Sequence, residues 1–300
     1  MKTINPPQAH KDRHTVLSVV VSYNFMRWID KCLPSLLQSE EPTDVLVIDN
    51  ASTDDTVAVI RERYPQVRLI ANTENLGFGR ANNIGMRLAL DEGYDGVFLI
   101  NQDAWIKPDT LGKLINASIE HPEYGIISPL HLTGDGSKLD AGFAAYIGKK
   151  EAVASCDLCP APFINAALWY IPSPVIRKVG MFAPLFYHYG EDKDYANRIR
   201  YHGYRIGYVP QAIGYHDRAE RPFTRQLSMR TESVYHLSEY ANVNYSFATA
   251  FAYGALAPIK KAARSFAKGK WRDGADYIAM SIKLLVQTAE ICKTRKQAKQ

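Results

Sequence analysis

Cysteine is scarce in this chain: Cys32, Cys156, Cys159 and Cys292 are too few among 300 residues for a disulfide framework, which fits a reducing cytoplasm. Cys156 and Cys159 form a C-x-x-C pair that reads either as a redox or zinc half-site or as two ordinary thiols near a strand. No second pair or nearby Cys/His cluster completes a metal site. No apolar run reaches the ~18 residues of a membrane span. The start, Met1 to His14, is polar, contains Pro6 and Pro7 and lacks the apolar core of a secretory signal, so residues 1–14 read as a flexible tail. Internal repeats and low-complexity segments are absent. Net positive charge is lacking outside the tail: from Pro258 to Gln300 eleven Lys or Arg face only Asp273, Asp276 and Glu290, a local +8. Of the formal +5, the rest of the chain therefore carries −3. A main body of that charge argues against nucleic-acid binding.

What is present is apolar and periodic. Hydrophobic residues make up 46% of the chain, enough for a large core. Val16 to Ser22 is a continuous β-rich run, read as a first strand buried in a parallel sheet. A helix over Met26 to Gln38 follows, with Pro34 implying a kink or an earlier start. Asp44 to Ile48 and Val67 to Ile70 read as strands, each followed by a polar loop and a helix. Val97 to Ile100 is another buried strand, which stops on Asn101-Gln102-Asp103. Strand and helix signals thus alternate four times in the first hundred or so residues, the pattern of an α/β layered sandwich with right-handed crossovers. From Gly125 to about Tyr170 the pattern changes, and Tyr/Phe/Ala alternation around Phe143 and Tyr146 predicts strands of mixed direction. Glu191 opens a helix to about Tyr201, Tyr204 to Val209 and Ala212 to His216 read as two short closing strands, and the chain beyond Arg218 is mostly helical.

In open α/β sheets ligands bind beyond the carboxyl ends of the strands. That places Asp49 and Asp103 in candidate positions. Asp103 could equally cap the helix beginning near Pro108, although Asp109 is the nearer cap; Asp49 could stabilise its own loop. Asp54 and Asp55 read as caps of the following helix. Asp194 and Arg198, four apart, read as an intrahelical ion pair.

Four segments, VLVIDNASTDDT, NTENLGFGRANNIG, FLINQDA and YGEDKDYANRIRYHGYRIGYVP, occur in an order that resembles glycosyltransferase family 2, from about Val16 to Asp217. The NLGFGRANN loop is most similar to the bacterial rhamnosyltransferase-like branch. The resemblance implies the GT-A fold: a Rossmann-like three-layer α/β sandwich with a mixed, mainly parallel sheet. It implies a catalytic domain over 15–220, with a nucleotide-binding half (15–103) and an acceptor half (104–220), followed by a basic helical region (221–300). It further implies inverting transfer of a sugar from a nucleotide-diphosphate donor to a saccharide acceptor in bacterial polysaccharide or O-antigen synthesis. Rhamnose from dTDP-rhamnose is the first expectation, and a UDP-hexose or UDP-N-acetylhexosamine donor the alternative.

By the same resemblance the donor meets Ser22, Tyr23, Asp49, Asn75, Gly77, Arg80, Asn83, Asn101, Gln102 and Asp103. The glycines near Asn75 let the backbone approach the diphosphate, and Arg80 either reaches that diphosphate or is a solvated helix residue. The family holds a divalent cation, Mg²⁺ or Mn²⁺, through an Asp-x-Asp element. Here Asn101 replaces the first acid, leaving Asp103, with His216 in the place of a second ligand. Inversion needs one base for the acceptor hydroxyl. That role falls to Asp192, with Glu191 orienting the acceptor or exchanging roles with it; alternatively both acids complement a helix N-terminus. Trp169, His188 and Tyr189 are candidate acceptor contacts, although core packing is the other reading of such residues. The replacement at Asn101 leaves a rival of another class, a non-catalytic nucleotide-sugar-binding module.

The basic helices of the tail read either as a peripheral contact with the inner face of the cytoplasmic membrane or as packing on the catalytic domain or a second subunit. A cytoplasmic location and a lipid-linked acceptor are the matching expectations.

Overall fold

The computed structural model describes residues 14–147, 156–218 and 224–300. The first half follows the alternating pattern: β1 (Val16–Ser22), α1 (Ile29–Leu37), β2 (Asp44–Asp49), α2 (Thr56–Arg63), β3 (Arg68–Ala71), α3 (Phe78–Asp91) and β4 (Gly96–Asn101). These strands lie in the order β3-β2-β1-β4, all parallel, and β1, β2 and β4 are buried along almost their whole length. Continuous Val/Ile/Leu runs are what a sheet covered by helices on both faces requires. The first helix starts at Ile29 rather than Met26, which places Pro34 inside it.

The second half is mixed. β5 (Ala104–Ile106), α4 (Thr110–Glu120), β6 (Tyr124–Thr133), α5 (Ala141–Ile147), β7 (Cys159–Pro160), β8 (Leu168–Pro172) and α6 (Ser173–Val179) precede α7 (Glu191–Tyr201) and β9 (Arg205–His216). The sheet continues from β4 as β8-β6-β9-β5: β8 runs antiparallel to β4 and β6, β9 parallel to β6, and β5 antiparallel to β9.

Three local expectations are corrected here. Phe143 and Tyr146 lie on a helix, α5, not on strands. Asp140 starts it by accepting the Phe143 N–H on its side chain and the Ala144 N–H on its carbonyl (both 2.9 Å), and the alanines suit a helix once capped. The two closing strands are one strand, β9, whose pairing with β6 shifts register between Pro129/Leu130 and Val209/Ile213. Pro210 at that shift breaks the sequence pattern without ending the strand, as proline at a bulge does. Third, Cys156 and Cys159 are bonded to each other as a disulfide, so they are neither ordinary thiols nor a half-site for zinc.

By its contacts the chain divides into two units. The first runs to Met181 and includes Tyr204–Arg218; it holds the whole sheet. The second comprises Phe182–Gly203 and the chain after Arg218, so α7, assigned by sequence to the acceptor half of a 15–220 domain, clusters with the C-terminal helices. Those are α8 (Arg225–Ala241), α9 (Phe247–Phe251), α10 (Ala257–Ala267), α11 (Trp271–Val286) and α12 (Thr288–Gln297), with a π-helical turn over Ala252–Leu256. Among the described residues no helix is long and apolar enough to cross a membrane.

Candidate active site

At the carboxyl edge of the parallel strands, three loops are tied together by side chains. Asp49 ends β2, and its buried carboxylate accepts hydrogen bonds from the Ser22 and Ser52 hydroxyls and, at 2.9 Å, from the Ser52 N–H. Asn24, in the left-handed region at φ 54°, donates its N–H to Ser52 Oγ and accepts the Thr53 N–H on Oδ1. The loop after β1 is also joined to the loop after β4: the Tyr23 N–H donates to Gln102 Oε1 (2.8 Å), and Gln102 Nε2 donates back to the Tyr23 carbonyl (3.1 Å). Gln102 therefore fixes the spacing of two loops with its amide. Asp49 likewise organises the 49–52 turn, while the cap role after it belongs to Asp54, whose Oδ1 accepts from the Thr56 N–H at 3.1 Å. Asp55 occupies the N-cap position without a side-chain bond.

The loop before α3 is organised by Asn50, which the sequence did not single out. Its Oδ1 accepts from the Asn72 side chain and the Leu76 N–H, and its Nδ2 donates to the Gly77 carbonyl. Asn75 Oδ1 accepts the Gly77 N–H at 2.9 Å, and Gly77 adopts φ 78°, open to glycine at little cost. Arg80 and Asn83 lie one and two turns into the edge of α3 with Ile84, Arg87 and Asp91, along a shallow cavity that shares no residue with the Asp103 cluster.

Asp103 lies in the turn between β4 and β5, away from the N-cap of α4, a position Asp109 occupies. β5 pairs with the end of β9, with Ala104 opposite His216, and the Asp217 N–H donates to the Asp103 carbonyl at 2.8 Å. This pairing brings His216 Nε2 to 3.4 Å from Asp103 Oδ1. The histidine is buried and the carboxylate is partly open to solvent. On the other side of the ring, Nδ1 lies 3.8 Å from Asp140 Oδ2 and has no hydrogen-bond partner; Arg218 Nε is 3.7 Å from the same Asp140 oxygen. His131 stands edge-on to His216 at 6.3 Å, stacks on Phe143 and bonds Ser128 at 2.8 Å. Burial first, then the nearby His216 and Arg218, hold His131 well below the usual histidine range, so it is a neutral packing group.

A separation of 3.4 Å is longer than a good hydrogen bond. It leaves room for both atoms to lie at the ~2.1 Å of a hard divalent cation. No set of three or more His, Cys, Asp or Glu side chains is gathered for a metal among the described residues. Asp103 and His216 thus fit an ion that takes its remaining ligands from water and phosphate, the usual habit of Mg²⁺. Asn101, at the end of β4, donates its backbone N–H to the Ala167 carbonyl.

The other acidic pair sits at the start of α7, in the second unit. Tyr189 (φ 72°) and Gly190 (φ 92°) are both left-handed and turn the chain into the helix. Glu191 is buried, its Oε2 has no hydrogen-bond partner, and burial, then the charge of Asp192, push its carboxyl up to about 7. The Glu191 and Tyr189 N–H groups and the Arg230 guanidinium pull the other way without overcoming the burial. Asp192 is half-buried and accepts the Lys193 N–H at 2.7 Å. Tyr187, His188 and Tyr189 form an exposed aromatic lip, with Arg230 over the Tyr189 ring at 4.8 Å. Asp194 and Arg198 form the expected pair at 2.9 Å, and it is buried. Trp169 is fully buried on β8 opposite Leu99, a core residue with no surface for an acceptor. Asp140 and Arg218 went unread because the segment around Phe143 looked like strand, which hid the cap that aims Asp140.

Residues 18–157 match the family model described as Glycosyl transferase family 2. An N-acetylglucosaminyl-diphospho-decaprenol L-rhamnosyltransferase of Mycobacterium tuberculosis is 27% identical over 260 residues, 76% of this chain and 82% of that protein. Among solved structures, a mannosyltransferase from Pyrobaculum calidifontis in complex with GDP-Man and Mn²⁺ superposes with a TM-score of 0.60 at 20% identity, covering 92% of this chain and 88% of that one. A fragment of S. aureus TarS gives 0.60 at 14% identity, over 95% and 89% of the two chains. Both structural likenesses establish the fold, which is the GT-A fold.

Proposed function

We propose that this chain, a glycosyltransferase whose residues 18–157 match the glycosyl transferase family 2 model, moves one sugar, with inversion, from a nucleoside-diphosphate donor to a lipid-linked saccharide at the cytoplasmic face of a membrane. Rhamnose from dTDP-rhamnose is the donor we favour, supported by the likeness over 260 residues to a rhamnosyltransferase whose name carries a lipid-diphosphate acceptor. The observation that carries the reading is the meeting of Asp103 and His216 at the edge where the loops after β1, β2 and β4 are locked together.

The loops around Ser22, Tyr23 and Asp49 form the floor for the base and ribose, and the turn at Asn75 and Gly77, where glycine at φ 78° carries no side chain, lets the diphosphate approach the backbone. Asp103 and His216 would hold a divalent cation, Mg²⁺ or Mn²⁺, whose charge offsets that of the departing nucleoside diphosphate. Asp140, on the far side of the ring, lies 3.8 Å from Nδ1, too far for a hydrogen bond, and acts on His216 through its charge. In the transfer, Asp192 takes the proton of the acceptor hydroxyl while that oxygen bonds to the anomeric carbon. The carbon–oxygen bond to the diphosphate breaks on the opposite face, and its electron pair leaves with the nucleotide. Glu191, with a carboxyl titrating near 7, is protonated in part at neutral pH and in that form donates a hydrogen bond to the acceptor, orienting it beside the base. His188 and Tyr189 supply ring faces for the acceptor sugar.

Calorimetric titration of dTDP, UDP and GDP, each with Mn²⁺, Mg²⁺ or chelator, tests this. One nucleotide should bind in a metal-dependent way and lose at least tenfold in affinity in Asp103→Ala and in His216→Ala. Equal binding with chelator would remove the metal from the site. Binding of GDP or UDP alone would remove rhamnose from dTDP-rhamnose as donor, and no binding of any nucleotide would favour a module of another kind.

A further inference from the structure

The hairpin of α10 and α11 carries large apolar side chains on its outer side as well as on its buried one. α11 spans 16 residues, ~24 Å of helix. The side it buries carries Gly274, Met280, Ser281 and Leu284, while Trp271 (70% exposed), Ile282 (56%), Leu285 (42%) and Val286 (79%) face solvent. Trp271, Ala275, Ala279, Ile282 and Val286 follow one another at spacings of three and four, so they form one continuous apolar stripe. α10 repeats the arrangement, with Leu256, Ile259 and Ala263 exposed on one stripe beside Lys260 and Arg264. A stripe of this size on a helix exterior marks a surface that is covered in use.

The charges state what covers it. Lys260, Arg264, Lys268, Lys270, Arg272 and Lys283 are exposed, and none has a carboxylate partner among the described residues. The acids of the same hairpin, Asp273 and Asp276, are both engaged by Arg225. We infer that the α10–α11 hairpin is a docking surface for an anionic lipid bilayer, its apolar stripes entering the headgroup boundary and its six free cations meeting lipid phosphates. An amphipathic helix with Trp and aliphatic residues on one side and Lys or Arg at the flanks is built for that plane. A second copy of the chain is the poorer occupant, because a two-fold interface would set one six-cation patch against the other, with both described acids of the hairpin, Asp273 and Asp276, already engaged by Arg225.

The inference extends the reading of a lipid-linked acceptor, but it is tested with no sugar or nucleotide present, so either can fail alone. The full chain is floated with vesicles of phosphatidylglycerol and phosphatidylcholine and with vesicles of phosphatidylcholine only. Flotation is expected with the anionic vesicles, at least tenfold weaker with the neutral ones, and weakened by salt, since each cation at such a surface is worth about fivefold. The variant Trp271→Ser/Ile282→Ser/Val286→Ser changes exposed positions only, and should lower flotation at least tenfold with an unchanged circular dichroism spectrum and nucleotide affinity. Brominated lipid should quench tryptophan emission in the native chain and fail to do so in Trp271→Phe. Absence of flotation with anionic vesicles, equal flotation of native and triple-serine proteins, or a dimer in sedimentation velocity that the triple-serine variant dissociates would each overturn it.

Discussion

A carboxyl group as buried as that of Glu191 gives up its proton reluctantly, and the unpartnered Oε2 explains why: few donors replace the water lost on folding. The group titrates near 4.5 when unfolded and near 7 when folded, so the native state retains a proton that the unfolded chain releases. Folding is therefore penalised progressively as pH rises from about 4.5 to 7, and the penalty is constant above that, up to ~3 kcal/mol. Glu191→Gln removes it. Urea denaturation should show the variant gaining stability over the native protein at pH 8 and losing that advantage at pH 4.5; a gap that ignores pH would refute the burial argument. The opening of a helix by Glu191 and Asp192 and the position of Asp103 just past a buried strand were legible in the sequence, whereas the approach of His216 to Asp103 rests on the pairing of β5 with β9. Asp49 was readable as a stabiliser of its own loop, which its bonds from Ser52 make it, but what Gln102 and Asn50 do was not legible, since each spends its polar atoms on a loop from another part of the chain.

Glu191 has this environment because of how α7 begins. Two consecutive left-handed residues reverse the chain before the helix, and at Gly190 an added Cβ would come within 2.9 Å of both Phe186 and Val234. Gly190→Ala is therefore expected to cost about 1–3 kcal/mol in a denaturant midpoint measurement. It should also lower kcat more than nucleotide affinity, because the bend that sets Glu191 and Asp192 lies outside the donor loops. A neutral outcome would mean the turn relaxes freely. The parallel half of the sheet was readable element by element, because strands buried on both faces leave uninterrupted apolar runs. The mixed half was not. At α5 an aspartate cap and alanines outweighed an aromatic alternation, and in β9 Pro210 interrupted the pattern of a strand that continues through a register shift. The first failure is one local signal outweighing another, the second a long-range strand pairing overriding a local break.

At the scale of the whole molecule, the residues proposed to bind the donor and those proposed to move the proton belong to different units of contact. Ser22, Asp49, Asn75, Asp103 and His216 lie in the unit that owns the sheet, whereas Glu191 and Asp192 lie in the unit built with α8 to α12. Within that second unit, α7 depends on the C-terminal helices: Lys193 pairs with Glu239 at 3.2 Å, Asn244 donates to the Asn197 carbonyl at 2.9 Å, and the His202 ring bonds the Ala298 carbonyl at 3.0 Å. Arg295 adds bonds to the carbonyls of Asn242 and Tyr245, which close α8 against the last helix. A chain ended after Arg218 keeps every strand but strips α7 of these partners, leaving the buried Asp194–Arg198 pair and Tyr195 without cover. Such a truncation should bind nucleotide within a few-fold of the full chain by calorimetry, while sugar transfer falls below detection and amide exchange across Glu191–Tyr201 loses protection. If transfer survives, the helices after Arg218 are dispensable for holding the acidic pair, and their part is confined to the surface they present.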